Sequence, residues 1–153
     1  MADFPQFTNL LAQVPPVLKP LAIDVSEEQQ CCFILMETDL GVLIQLDGAR
    51  NRFFLSSELG APPPCDLKRL YENLLYVNYN WEQTGGARLA LNRPDGEVVL
   101  VSEAAAEGVD VTQFCAAITA FVRIAKGCRT VIQNPAAAEQ SAPETAFIPS
   151  MRV

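Results

Sequence analysis

Between Cys31 and Leu59 three apolar runs follow one another, joined by links with room for only a turn. Cys31 to Glu37 (CCFILME) is almost wholly apolar. Thr38 to Gly41 (TDLG) reads as a hairpin turn, Val42 to Asp47 as a second strand, Gly48 to Asn51 as the next turn, and Arg52 to Leu59 as a third strand. Links this short join antiparallel neighbours, because a parallel return needs a crossover of about a dozen residues or more. The stretch is therefore expected to form an antiparallel meander. Its third run alternates: Phe53, Leu55, Ser57 and Leu59 share one face, and Arg52, Phe54, Ser56 and Glu58 share the other.

Helical patterns bracket this meander. Asp3 can cap a first helix, with Pro5 tolerated in its first turn. Phe4, Phe7, Leu10, Leu11 and Val14 recur at helical spacing until Pro15-Pro16 ends or kinks the segment. Val17 to Ile23 reads as a proline-broken apolar stretch. Gly60 to Pro64 (GAPPP) is a firm break, after which Asp66 caps a second helix running to about Trp81. Leu67, Leu70, Tyr71, Leu74 and Asn78 mark one stripe of it, while Leu75, Tyr76, Tyr79 and Trp81 add apolar surface elsewhere. A helix apolar on more than one side is deeply buried or sits in an interface. Ala87 to Leu91 and Glu97 to Val101 read as two strands around Asn92 to Gly96 (NRPDG), a strong hairpin signal. Asp110 and Gln113 form a capping box for a third helix. Its apolar face runs through Phe114, Ile118, Phe121 and Ala125, and Gly127 is the expected C-terminal cap.

Composition narrows the functions such a chain can have. Its 153 residues suit one domain, and 50% of them are hydrophobic, a high share for so small a protein. Some of that apolar surface is available for a partner. The formal charge is −7, which disfavours nucleic acid and anionic lipid and would steer a basic partner inward, or serves only solubility. Histidine is absent, which removes the commonest general base and zinc ligand. Glu27-Glu28 falls in a turn without defined catalytic geometry, and no Lys-Ser/Thr follows Gly85-Gly86, so neither reads as a site. The five cysteines, Cys31, Cys32, Cys65, Cys115 and Cys128, show no CxxC spacing and read as reduced, mostly buried thiols of a cytosolic protein. The opening residues carry no basic or long apolar region, so no signal peptide is expected, and no apolar run reaches the length of a membrane span. The expectation is a binding protein, not an enzyme, with no metal and no cofactor. An enzyme using carboxylates or a thiol is the rival reading, to be tested by Cys31→Ser and Cys32→Ser.

Residues Gly86 to Lys126 read GARLALNRPDGEVVLVSEAAAEGVDVTQFCAAITAFVRIAK. Their short strand ending in Leu (Leu89 to Leu91), the Asp95-Gly96 hairpin, the Val98 to Val101 strand, a linker and the amphipathic helix Asp110 to Ala125 resemble the C-terminal half of class I type III secretion chaperones, the CesT/SycE-like (Tir chaperone) family. The element order resembles that family over about residues 3–132. It implies an α+β single domain of order α-β-β-β-α-β-β-α, with a twisted antiparallel sheet flanked by helices over residues 1–132, then a flexible tail over 133–153.

The resemblance also implies a function and its residues. Such a protein binds the N-terminal chaperone-binding region of a secreted effector, keeping it soluble, partly unfolded and export-competent in the bacterial cytoplasm. An effector-binding groove between the first helix and the first sheet would draw on Phe4, Phe7, Leu11, Phe33, Leu35, Ile44 and Phe53. A homodimer would be built on Leu70, Leu74, Leu75 and Tyr76, with Leu89 and Leu91 nearby. The secretion ATPase is admitted as a further partner. On this reading Phe7→Asp weakens effector binding and Leu74→Asp breaks the dimer. The alternative is a regulatory protein of the same fold that sequesters a regulator of secretion genes.

Overall fold

The computed structural model describes residues 4–64, 67–92 and 96–134. Ten elements follow in order: α1 (Phe4–Ala12), α2 (Pro15–Leu18), β1 (Ala22–Ser26), β2 (Cys31–Glu37), β3 (Leu40–Asp47), β4 (Arg52–Gly60), α3 (Leu67–Tyr79), β5 (Arg88–Asn92), β6 (Glu97–Ala105) and α4 (Val111–Gln133). The six strands form one antiparallel sheet in the order β1-β2-β3-β4-β6-β5. The expected meander is present as β2, β3 and β4. Two elements extend the expected order: α2, which the proline pair opens because proline fits the first turn of a helix, and β1, which pairs with β2.

The strands alternate as their sequences require. In β3 and β4 every second residue is buried, and Leu40, Val42, Ile44, Phe53, Leu55 and Leu59 point to the side where the helices lie. α1 and α4 close over this side. Phe7 sits against Phe53 and Phe114 at ring-centroid distances of 5.4 and 6.2 Å, and Phe53 lies 5.1 Å from Phe114. Such ring pairs add roughly 0.5–1.5 kcal/mol each beyond simple burial. Leu11, Val14, Ile118, Phe121 and Ile132 complete the same core. The described helices thus gather on one face and along one edge of the sheet, and none of them covers the other face.

α4 starts where expected. The Asp110 carboxylate accepts from the Gln113 amide at 2.8 Å, and the Gln113 side chain accepts from the Asp110 amide at 3.1 Å. It does not stop at Gly127, as the sequence suggested, but runs on to Gln133. A glycine inside a helix costs about 1 kcal/mol against alanine. Full burial of Ile132, worth roughly 1.5–3 kcal/mol, outweighs that cost. The helix is tied down on both sides of Gly127: Lys126 just before it pairs with Glu37, and Arg129 beyond it bonds both the Asp39 carboxylate and its carbonyl oxygen at 2.7 Å. α3 ends at Tyr79, and Asn80 to Gly86 turn back with Gly85 and Gly86 at positive φ. The expected caps at Asp3 and Asp66, most of the NRPDG turn, Cys65 and residues 135–153 lie outside the described residues. The strands flanking that turn are in register, Asn92 opposite Glu97.

Candidate functional site

The uncovered face of the sheet is built by the same alternation that builds the core. Two cross-strand rows lie on it: Ala22, Leu35, Gly41, Glu58, Val99 and Ala90, then Asp24, Phe33, Leu43, Ser56, Val101 and Arg88. All of these except Ala22, Asp24 and Arg88 floor a hollow of about 700 Å³, with Leu91 and Asn92 at one side and Asp39 at the rim. Its apolar floor is Phe33, Leu35, Leu43, Val99 and Val101, and its carboxylates are Asp39 and Glu58. Phe33 is 44% exposed, which is unusual for an aromatic ring in mid-strand. Its ring lies over Gly41: a Cβ there would meet the ring tip at 2.1 Å. Glycine is required at position 41 for this close approach, not for an unusual backbone angle.

The two edges of the sheet differ. Along β5 the Asn78 side chain of α3 donates to the Leu89 carbonyl at 2.9 Å and accepts from the Leu89 amide at 2.8 Å. Both outward backbone groups of Leu89 are thereby satisfied by one amide. β1 is the opposite outer strand, paired with β2 alone among the described residues. An unpaired strand edge can accept another strand through its backbone groups.

A third feature is the outer surface of α3. Leu75, Tyr76 and Tyr79 are exposed at 69%, 54% and 81%, and Trp81 and Leu91 are exposed nearby. On the other side of the same helix Leu70 and Leu74 are buried in the core. Beside it a smaller hollow of about 260 Å³ lies between α3, β5 and α4, lined by Leu74, Val77, Leu89, Ile124, Gly127 and Cys128 among others. A fourth, about 280 Å³, lies against α1 and is lined in part by Phe7, Leu10, Phe53 and Val109.

These placements divide the residues that the sequence grouped together. Of the expected groove set, Phe7, Leu11, Ile44 and Phe53 are buried in the core between helix and sheet, with Phe4 half-buried beside them. Phe7 and Phe53 still show an edge to the hollow at α1. Phe33 and Leu35 lie on the opposite side of the sheet, so the seven residues do not line one groove. Of the expected dimer set, Leu75, Tyr76 and Leu91 are at the surface, whereas Leu70, Leu74 and Leu89 are core. Leu43, Val99, Val101, Asp39 and Glu58 were missed. Leu43 and Val101 sit in apolar runs whose two faces look alike in sequence. That β4 lies next to β6, which brings these residues to one floor, is a property of strand order alone.

The thiols are poorly suited to nucleophilic work. Burial pushes Cys32 up to about 12, with Cys31 and Asp24 adding to the rise. Burial also raises Cys115 and Cys128. A thiolate is the reactive form, so these groups stay protonated near neutral pH. Among the described residues no cluster of three or more His, Cys, Asp or Glu could hold a metal ion, and no helix is long and apolar enough to cross a membrane.

A sheet packed by helices on one face, with an apolar hollow on the other and a β1 edge that no further described strand pairs, defines an α+β fold with open sheet surface. Residues 19–129 match the Tir chaperone protein (CesT) family, and the chain belongs to that family. Its fold is similar to a chain of the HopA1-SchA chaperone-effector complex, at 18% identity over 84% of this chain and 98% of that chain, with a TM-score of 0.64. It is similar also to a chain of the ExsC-ExsE complex (16% identity, 87% and 98%, TM-score 0.72). A third similar structure is the type III secretion chaperone SycH of Yersinia pestis, in complex with a fragment of YscM2 (19%, 80% and 98%, TM-score 0.59). No curated protein sequence matches the chain.

Proposed function

We propose that this chain is a type III secretion chaperone: in the bacterial cytoplasm it binds the N-terminal region of a secreted effector and holds it partly unfolded and soluble until export. The observation that carries this reading is the apolar sheet face that no described helix covers, with Phe33 lying exposed over Gly41 beside the β1 edge, which no further described strand pairs. An extended effector segment would pair with β1 and set apolar side chains into this hollow and into the one at α1, where Phe7, Leu10 and Phe53 lie. Burial returns roughly 25 cal/mol per Å² of apolar area, against which the effector's loss of freedom counts. That balance keeps the complex releasable without a nucleotide or other cofactor. Asp39, Glu58 and the net charge of −7 favour a basic segment. Binding, not catalysis, is the activity.

The same reading includes a homodimer. Leu75, Tyr76, Tyr79 and Leu91 form its contact surface, with Leu70, Leu74 and Leu89 behind them. Because Phe7 and Leu74 are core residues, Phe7→Asp and Leu74→Asp would unfold the protomer, and surface positions make the cleaner test. The experiment is a pull-down from the native host by the wild type, by Phe33→Asp/Leu43→Asp and by Leu75→Asp/Tyr76→Asp, with mass spectrometry and sedimentation. The expected result is one secreted protein enriched by the wild type and lost with the first variant, and a folded monomer from the second. A folded Phe33→Asp/Leu43→Asp protein that still captures the same secreted protein overturns the assignment of this face. Enrichment of no secreted protein overturns the function.

A further inference from the structure

One cross-strand row on the open sheet face passes through all six strands: Asp24, Phe33, Leu43, Ser56, Val101 and Arg88. Its middle is floor of the 700 Å³ hollow, and its two ends carry opposite charge. Asp24 stands on the outer strand β1 and Arg88 on the outer strand β5. Both are exposed, and neither forms an ion pair with another described residue. Asp39 adds to the acidic end, and Glu58 on β4 keeps the floor negative as far as its middle. On β6, Glu103 is engaged by Arg52, and Glu97 lies outside the lining of the hollow. The face is therefore a trough with an acidic end, an apolar floor and a basic end.

Shape restricts the occupant. From β1 to β5 the row spans five strand spacings, about 24 Å, and its floored part, from β2 to β5, about 19 Å. Spread over the floored length, 700 Å³ gives a mean section of about 40 Å², roughly half that of a helix about 10 Å across. The trough suits a chain in extended form, which rises about 3.3 Å per residue and covers the distance between the two charges in about seven or eight residues. Every second side chain of such a segment points down onto the floor. A second copy of the same face fits poorly, because two hollows laid together would enclose a void that close packing does not tolerate. The net charge of −7 disfavours anionic lipid and nucleic acid.

Building on the effector reading above, we propose that the part of the effector lying on this face crosses the strands as an extended, dipolar segment. A cationic side chain sits at Asp24, apolar side chains lie over Phe33, Leu43 and Val101, and an anionic side chain sits at Arg88, about eight residues away. A uniformly basic segment suits Asp24 and Glu58 but is repelled at Arg88, and a uniformly acidic one meets the reverse. Each exposed pair is weak, on the order of 1.5- to 5-fold in affinity. Apolar contact therefore supplies the holding, and the two end charges select among apolar segments. A crossing segment makes no strand pairing with the floor, so nothing there fixes its chain direction: either direction serves as long as each charge reaches its end.

The probe is the capped peptide acetyl-Lys-Ser-Leu-Ser-Val-Ser-Leu-Ser-Glu-amide, titrated into the ¹⁵N-labelled full chain and followed by amide chemical shifts, beside the same peptide with Gln at both ends. The expected result is saturable shifts at Leu43 and Val101, with the uncharged peptide binding about fivefold more weakly. Asp24→Lys and Arg88→Glu should each weaken the charged peptide about threefold at an unchanged unfolding midpoint, and the two together should restore its affinity, because the peptide turns end for end. Equal affinity of the two peptides, no recovery in the double variant, or shifts confined to other residues each overturn the proposal. Self-association of the free chain that Arg88→Glu abolishes gives the face to a second copy and also overturns it. No peptide binding at millimolar concentration, from a chain that still captures a secreted protein in the pull-down, sinks the crossing segment and leaves the effector reading standing; capture of no secreted protein removes that reading itself.

Discussion

One sheet has two edges, and this protein treats them differently. At β5 a single asparagine from α3 donates to and accepts from the same residue, Leu89, so the backbone there is as satisfied as if another strand were present. At β1 the outermost backbone meets no further strand among the described residues, and the strand is short and polar enough (AIDVS) to stay soluble. The difference teaches how a sheet can be made to accept a partner on one side only. Sealing the outward backbone of one edge residue takes one side chain of the right shape on a neighbouring helix. Leaving an edge available takes a short strand without such a neighbour.

The largest expected effect comes from unsealing the closed edge. Asn78→Leu removes two hydrogen bonds and leaves the Leu89 amide and carbonyl half-buried without partners, which should cost about 2 kcal/mol in urea unfolding. Asn78→Asp keeps the acceptor and loses the donor, so it should cost about half as much; equal losses for the two variants would mean that packing, not sealing, is what Asn78 provides. Next comes closing the open edge. Ala22→Lys with Asp24→Lys puts two ammonium groups on the β1 positions opposite Leu35 and Phe33. Titration with the captured effector should show about tenfold weaker binding, equivalent to about 1.4 kcal/mol, at an unchanged unfolding midpoint. Undiminished affinity would show that β1 does not take part.

A smaller effect follows from Cys32, which lies opposite Val25 of the open edge strand. Its folded pKa is pushed to about 12 from the 9.0 of an ordinary thiol. Below pH 9 both folded and unfolded chains hold the proton and stability is unaffected. Above it the unfolded chain alone releases the proton, so stability falls as pH rises towards 12. Between pH 8 and pH 9.5 this thiol should account for roughly 1 kcal/mol of the loss. Chemical unfolding of Cys32→Ala across that range should show a correspondingly shallower fall. A smaller stability effect still is expected from Gly41→Ala. The added methyl meets only the tip of the exposed Phe33 ring, which can swing away, so stability should shift by no more than about 0.5 kcal/mol. Effector affinity should nonetheless fall severalfold, because the hollow loses its aromatic wall.

Much of the fold was legible because local signals and burial agreed. The alternation in β4 named its buried face correctly, and the Asp110–Gln113 box placed the start of α4. β1 was illegible because its residues alternate in no useful way: most of its side chains are exposed, and prolines precede it. The extension of α4 past Gly127 was illegible because its cause, the burial of Ile132 and the ties to Glu37 and Asp39, is tertiary. The site was half legible for a similar reason. In CCFILME every position before Glu37 is apolar, so nothing local says that Ile34 faces the helices while Phe33 faces outward. In α3 both stripes are apolar, and only the position of β5 decides that Leu74 packs inward and Leu75 outward.

The two ion pairs that reach from α4 to the turn between β2 and β3 have a mechanical consequence. Lys126 with Glu37 and Arg129 with Asp39 make the last turns of the helix a strut braced against that turn. Tension applied to the chain beyond Asn134 would load these charged ties along their length before it could peel the helix from the sheet. The turn between β2 and β3 would therefore yield together with the end of the helix, and ionic strength would tune how stiffly the two are joined.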